Sequence, residues 1–195
     1  MPSLRHLLRR TRYDLQRAAE HLDALSPAGR LQEVRSLRPR ELAALFEAAA
    51  GHRPIDLDFV VPADVPPMRE VVHEGKNSLP AFTHFAKVFC RPEEGAEELW
   101  GYNRSHPLIQ RVVGPGYFVL RRHEVEGELL VDYLRVPPRA PNGWPPILPN
   151  EARLSRFVYA GTQDVLRGVS AHVSIGRATR GGKPMDAWFA LCRTI

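Results

Sequence analysis

The spacing of apolar side chains changes abruptly within residues 155–193, and that change is the strongest constraint this chain places on its own fold. Across 156–169, Phe157, Val158, Val165, Leu166 and Val169 recur near every three or four residues, the period of an amphipathic helix, with Gly161 at a potential contact point. From His172 onward the period is two. Val173 and Ile175 alternate with Ser174 and Gly176, while Met185, Ala187, Phe189 and Leu191 share one face opposite Asp186, Trp188, Ala190 and Cys192. Gly181 and Gly182 separate the two runs, and residues that adopt positive φ without steric cost favour a tight hairpin there. The chain is therefore predicted to end as helix, strand, turn and final strand.

Further strands are expected at 99–103, 117–125 and 129–136, the last two joined by a short turn at Glu126 and Gly127. Residues 68–73 suit a first strand, following the Pro-rich turn at 62–67. The run SLPAFTHFAKVFCRP fits two periods. Phe82, Phe85 and Phe89 suit a helix capped by Ser78, whereas Phe82, His84, Ala86, Val88 and Cys90 suit one face of a strand; the cap and the three rings on one side favour the helix. A helix is also expected from Pro39, with Leu42, Leu45, Phe46 and Ala49 as its apolar face and Gly51 at its end. The Pro-rich stretch 137–150 reads as a long loop, a kind often functional or mobile.

Five to seven strands joined mostly by hairpins imply an antiparallel sheet, which a crossing helix can help curl into a barrel. The fold class is accordingly α+β. Residues 1–30 are expected to form a basic amphipathic helix and linker, and residues 31–195 a single barrel-like domain. The ending HVSIGRATRGGKPMDAWFALCR, preceded by FVYAGTQDVLRGV with Asp164 and Arg167, resembles the closing section of lipocalin-like β-barrel families of unassigned biochemistry. That resemblance covers about the last fifth of the chain. It implies a short helix carrying Asp and Arg, a glycine-containing strand and a final strand. The Gly-x-Trp entrance motif usual in lipocalins is absent, since Trp100, Gly101 and Tyr102 have the wrong order.

The net charge of +5 is confined to the first 40 residues, where nine Arg face four acidic side chains; the remainder is neutral. A nucleic-acid footprint could only be built there, and none of the rest supports one. Leu4, Leu8, Leu15, Ala18, Leu22 and Leu25 form one stripe of a helix over 3–25, with Arg5, Arg9, Arg10, Arg12 and Arg17 mostly off it. Such a helix can pack on the domain, associate with a protein partner or with itself, or rest on an anionic surface; Asp14, Glu20 and Asp23 weaken the last. No eighteen-residue apolar run or secretory core occurs, so a cytoplasmic protein without a transmembrane segment is expected. Cys90 and Cys192, flanked by apolar residues, read as reduced core thiols.

No catalytic motif stands out. GRATRGGK resembles a phosphate-binding loop only superficially: Gly176 lies one residue too far from Lys183, and Pro184 replaces the Ser or Thr that would meet Mg²⁺. The eight histidines show no metal-ligand spacing, so neither a metal nor a cofactor is implied. Ser170 and His172 could share a strand face, a frequent coincidence. The better clue is polar and aromatic side chains on strands: Trp100 with Tyr102, Tyr117 with Arg121, and Tyr133 with Arg135. Pointing inward, these six would line a cavity for a mostly apolar ligand with a carboxylate or phenolate end; pointing outward, they are surface pairs. Asp132, among Leu130 and Leu134, could act as acid or base or pair with Arg156 or Arg167. The expected function is binding or carriage of a small hydrophobic molecule. Two alternatives stand beside it: a cofactor-independent isomerase or cyclase using Asp132 or His172, and an interaction protein docking through its N-terminal helix.

Overall fold

The structure is a computed structural model describing residues 3–8, 14–80, 83–93, 97–152 and 154–194. Eight strands follow one another as a meander: β1 Val71–Asn77, β2 His84–Cys90, β3 Leu99–Arg104, β4 Tyr117–Arg122, β5 Leu129–Asp132, β6 Thr162–Gly168, β7 Val173–Arg180 and β8 Lys183–Arg193. Each pairs antiparallel with the next, and β1 pairs with β8, so the sheet closes into a barrel and leaves no free edge. The α+β expectation is met. The β7–β8 hairpin turns at Gly181 and Gly182, both at positive φ (57° and 75°), as their sequence demands.

Seven helices accompany the barrel among the described residues: α1 Leu4–Leu7, α2 Leu15–Asp23, α3 Pro27–Ser36, α4 Pro39–Ala48, α5 Leu57–Val60, α6 Pro107–Val113 and α7 Ser155–Val158. The N-terminal stripe packs on the barrel, carried by two separate helices, α1 and α2, rather than by the one expected over 3–25. Leu4, Leu8, Leu15, Ala18 and Leu22 join Val34, Leu42 and Leu45 in one core with Val173, Ile175, Ala190 and Cys192, the outward side chains of β7 and β8. Arg30 is buried on α3 and donates to the carbonyls of Leu22 (3.0 Å) and Leu25 (3.1 Å), satisfying the orphan acceptors at the end of α2. Arg9, Arg10 and Arg12 lie outside the described residues.

Two helical expectations are corrected. The run 156–169 is helical only over Ser155–Val158; Gly161 then takes φ 71°, and Thr162–Gly168 is strand β6. Val165 leans on the outer helices while Leu166 fills the bore, and the other buried positions of β6 are Thr162, Asp164 and Gly168, so the strand's burial alternates without an apolar alternation to mark it. The Phe-rich run likewise forms strand β2 rather than a helix, with Phe85, Lys87 and Phe89 inward and Val88 and Cys90 outward. Phe82 lies outside the described residues.

One end of the barrel is plugged. Arg53 bridges Gly168, the Ile55 amide donates to the Gly127 carbonyl (2.9 Å), and Ile55, Leu57, Val60 and Val61 join the interior cluster of Phe89, Leu99, Leu120, Leu129 and Leu191. Buried within the plug, the His73 imidazole donates through Nε2 to the Val60 carbonyl at 2.9 Å. Burial pushes its pKa down to about 4; that hydrogen bond opposes the shift and the Arg193 charge adds to it. Between pH 4 and the ordinary 6.5 the unfolded chain therefore binds more protons, and stability falls with acidification across that window. The expected loss is about 3 kcal/mol, measurable by urea unfolding at pH 7 and pH 4. His73→Leu is expected to flatten the difference, and an unchanged slope in that variant would assign it to other groups.

Candidate functional site

Inward positions alternate along every strand, and the bore they line is filled only over part of its length. Phe89, Phe118 and Tyr133 stack edge to face across its middle, at centroid separations of 5.5 Å and 5.3 Å. Phe118 fits because Gly101, opposite it, carries no side chain: a Cβ there would sit 2.4 Å from the Phe118 ring. Above this aromatic layer the bore opens into a cavity of about 330 Å³. Its walls are mostly apolar, including Phe85, Ile109, Val113, Met185, Ala187 and Phe189.

A polar cluster forms its floor. Lys87 on β2 is only 2 % exposed, and its amine reaches Asp164 Oδ2 on β6, four strands away across the bore, at 3.3 Å. The same Nζ donates to Asn103 Oδ1 at 3.0 Å and to the Tyr133 hydroxyl. Asn103 is Lys87's cross-strand partner, and its Nδ2 donates to the Gly116 carbonyl (3.0 Å), which fixes the amide. An ammonium has three hydrogens, and all three find acceptors here. The amine is also ringed by Phe118, Phe189 and Tyr133, with centroids 4.9 to 5.0 Å away. Tyr159 stacks on Tyr133 at 5.1 Å and also lines the cavity.

Removal from water dominates the electrostatics of the cluster. Burial lowers the Lys87 pKa against the opposing charge and hydrogen bond of Asp164, and burial raises the Asp164 pKa against the opposing charge of Lys87. Both shifts bring the ion pair closer to its neutral form, amine beside carboxylic acid. Burial also raises the phenols of Tyr133 and Tyr159, with the nearby Asp164 adding to each, so both remain donors at neutral pH.

Of the six side chains expected to line a cavity, Tyr133 alone contributes to this floor; Asp164, named in the sequence as part of a short helix, joins it from strand β6. Trp100, Tyr102, Tyr117 and Arg121 lie on outward positions of β3 and β4, opposite in parity to Gly101, Asn103, Phe118 and Leu120. Their exterior face is covered by the 137–150 loop: Trp144 packs on Tyr102 (4.8 Å) and Tyr117 (6.2 Å), and the Tyr117 hydroxyl donates to the Pro145 carbonyl (2.6 Å). Asn150 anchors that loop through hydrogen bonds to the Tyr117 and Tyr133 carbonyls, both 2.8 Å. Arg121 pairs with Asp132 at 3.3 Å, and Asp132 Oδ1 accepts from the Leu134 amide. Arg135 lies beyond β5 and pairs with Glu98 at 2.9 Å. His172, beside Ser170, is in the β6–β7 turn at the plugged end, its Nδ1 3.2 Å from Arg193 Nη2. Burial, then the charges of Arg30 and Arg193, lower its pKa. Asp132 and His172 are thus apart from each other and from the cavity lining.

Lys87 was the missed residue, and its signal is visible in hindsight: a lone lysine flanked two residues away on each side by Phe85 and Phe89. Both thiols are free and buried, and burial pushes the Cys90 pKa up to about 12. Among the described residues no group of three or more His, Cys, Asp and Glu is placed to hold a metal, and no helix is long and apolar enough to cross a membrane. The chain matches no family model, no curated protein and no solved structure.

Proposed function

We propose that this protein binds a small, mostly apolar molecule in the open end of its barrel, with the ligand's polar end directed to the Lys87–Asp164 floor. The supporting observation is the contrast between the two halves of one bore. The plugged half is packed with Leu99, Leu120, Leu129 and Leu191, whereas the other holds a cavity of about 330 Å³ above a buried ion pair. That volume is at the lower end of the ~300–1,000 Å³ usual for ligand pockets, and apolar walls with a few convergent polar groups are their usual makeup. Phe157 lines the mouth yet is 62 % exposed, an apolar rim suited to passing such a ligand inward.

The N-terminal helices do not compete with this reading, because their apolar stripe is already spent on the outside of β7 and β8. Ala187 offers the test. It shares the inward face of β8 with Met185 and Phe189, so Ala187→Trp directs an indole into the cavity. Titration with anilinonaphthalene sulfonate is expected to show saturable binding to the native protein and at least tenfold weaker binding to this variant, with its thermal unfolding preserved. Equal binding by both proteins would place the dye elsewhere and remove the support.

A further inference from the structure

We infer that the ligand is an apolar aldehyde or ketone, held through a reversible imine to Lys87 with Asp164 as proton carrier and counter-ion. The inference rests on the cavity reading above and names its ligand class. Its basis is the placement of Lys87. The chain has three lysines among its 27 basic residues; Lys183 is exposed, Lys76 is partly so, and Lys87 alone lies within the bore, at the floor of the cavity. A buried ion pair contributes little net stability compared with well-packed apolar residues, so stability alone does not explain an ammonium among Phe85, Phe118 and Phe189.

A saturated ammonium is a poor anchor for an anion, since its three hydrogens already serve Asn103, Tyr133 and Asp164. The cluster is better arranged to release a proton than to accept a second carboxylate. Transfer of one proton across the 3.3 Å from Nζ to Asp164 leaves a neutral amine beside a neutral acid, the direction in which burial pushes both groups. The freed lone pair can then attack a carbonyl carbon. A C–N bond forms, the carbonyl π pair moves to oxygen, and that oxygen receives the amine's proton through the cluster, giving a neutral carbinolamine. Asp164 next protonates the hydroxyl, the C–O bond breaks, and water leaves. The nitrogen lone pair closes the C=N bond, so a protonated imine faces the restored Asp164 carboxylate. Overall, ammonium and carbonyl become iminium and water, with no redox partner required. The apolar walls limit water near the imine and so slow its hydrolysis.

The test uses decanal as the carbonyl probe on the intact protein, with sodium cyanoborohydride to fix any imine as a secondary amine, followed by peptide mass mapping. A single decyl group is expected on Lys87, at a yield at least tenfold above that on Lys76 or Lys183. Excess decanol, which has the same chain without a carbonyl, is expected to suppress it. Lys87→Met is expected to lose the adduct, but the mapping of native protein decides the matter even if that variant folds poorly. Equal labelling of all three lysines would overturn the inference. So would absence of a Lys87 adduct while decanol still displaces the naphthalene dye, an outcome that leaves the cavity reading intact. If decanol neither displaces the dye nor protects Lys87, the cavity reading falls as well.

Discussion

Replacing Asp164 by alanine is expected to lower the unfolding free energy by about 3–5 kcal/mol, because it strands the Lys87 charge in the bore without a counter-charge. Asn103 and Tyr133 would still accept from Nζ, but neither carries a charge to offset desolvation. The double variant Lys87→Met, Asp164→Leu is expected to recover most of that loss, since both charges leave together and the neighbours Phe85, Phe118 and Phe189 suit apolar side chains. The pH dependence has a definite sign. Asp164 is what opposes the burial-driven fall of the Lys87 pKa, so its removal lowers that pKa further. Between the folded pKa and the ordinary 10.5 the unfolded chain binds more protons, so the stability of Asp164→Ala rises as the solution becomes more alkaline. Urea unfolding at neutral and alkaline pH measures both effects. A single-variant loss under about 1 kcal/mol would mean that the pair is solvated, in the range of exposed ion pairs.

The same burial explains why the site was hard to read from sequence. The β7–β8 hairpin was legible because residues 173–176 and 185–192 alternate cleanly around two glycines. Strands β2 and β6 were not, β2 because it is covered on both faces and β6 because its buried face is partly polar. On β2, Val88 and Cys90 pack against outer aromatic clusters while Phe85 and Phe89 face the bore; on β6, Val165 meets the outer helices and Leu166 the interior. Two-sided burial gives β2 a near-continuous apolar run that fits a helical period as easily as a strand, whereas the inward face of β6 carries Thr162 and Asp164 and so shows no apolar alternation. Misassigning these two strands hid Lys87 altogether and placed Asp164 on a helix rather than across the bore from it. The strand pattern at Trp100, Tyr102 and Tyr117 was right, but parity alone does not say which side of a sheet is the inside. That was decided at a distance, by Trp144 and Asn150 drawing the 137–150 loop over one face.

Long-range packing also sets the expectation for the N-terminal segment. A chain beginning at residue 31 is expected to lose its cooperative unfolding transition and to aggregate. The cut falls within α3 and removes Arg30 together with the Leu4, Leu7, Leu8, Leu15 and Leu22 side chains, all at most 6 % exposed. At about 1.5–3 kcal/mol for each buried leucine, their loss is comparable to the ~5–15 kcal/mol by which whole domains are stable. It also bares Val173, Ile175, Ala190 and Cys192 on the outside of the two strands that close the barrel, β8 being the one that pairs with β1. An exposed apolar sheet face invites association between chains. Leu22→Ala is the milder form of the same experiment and is expected to cost about 2–5 kcal/mol through the cavity left beneath α2. Calorimetry of both proteins distinguishes the cases. A truncated chain that stays monomeric and melts sharply within a few degrees of the native protein would show that the barrel stands alone, and that the helices are an appendage rather than its outer wall.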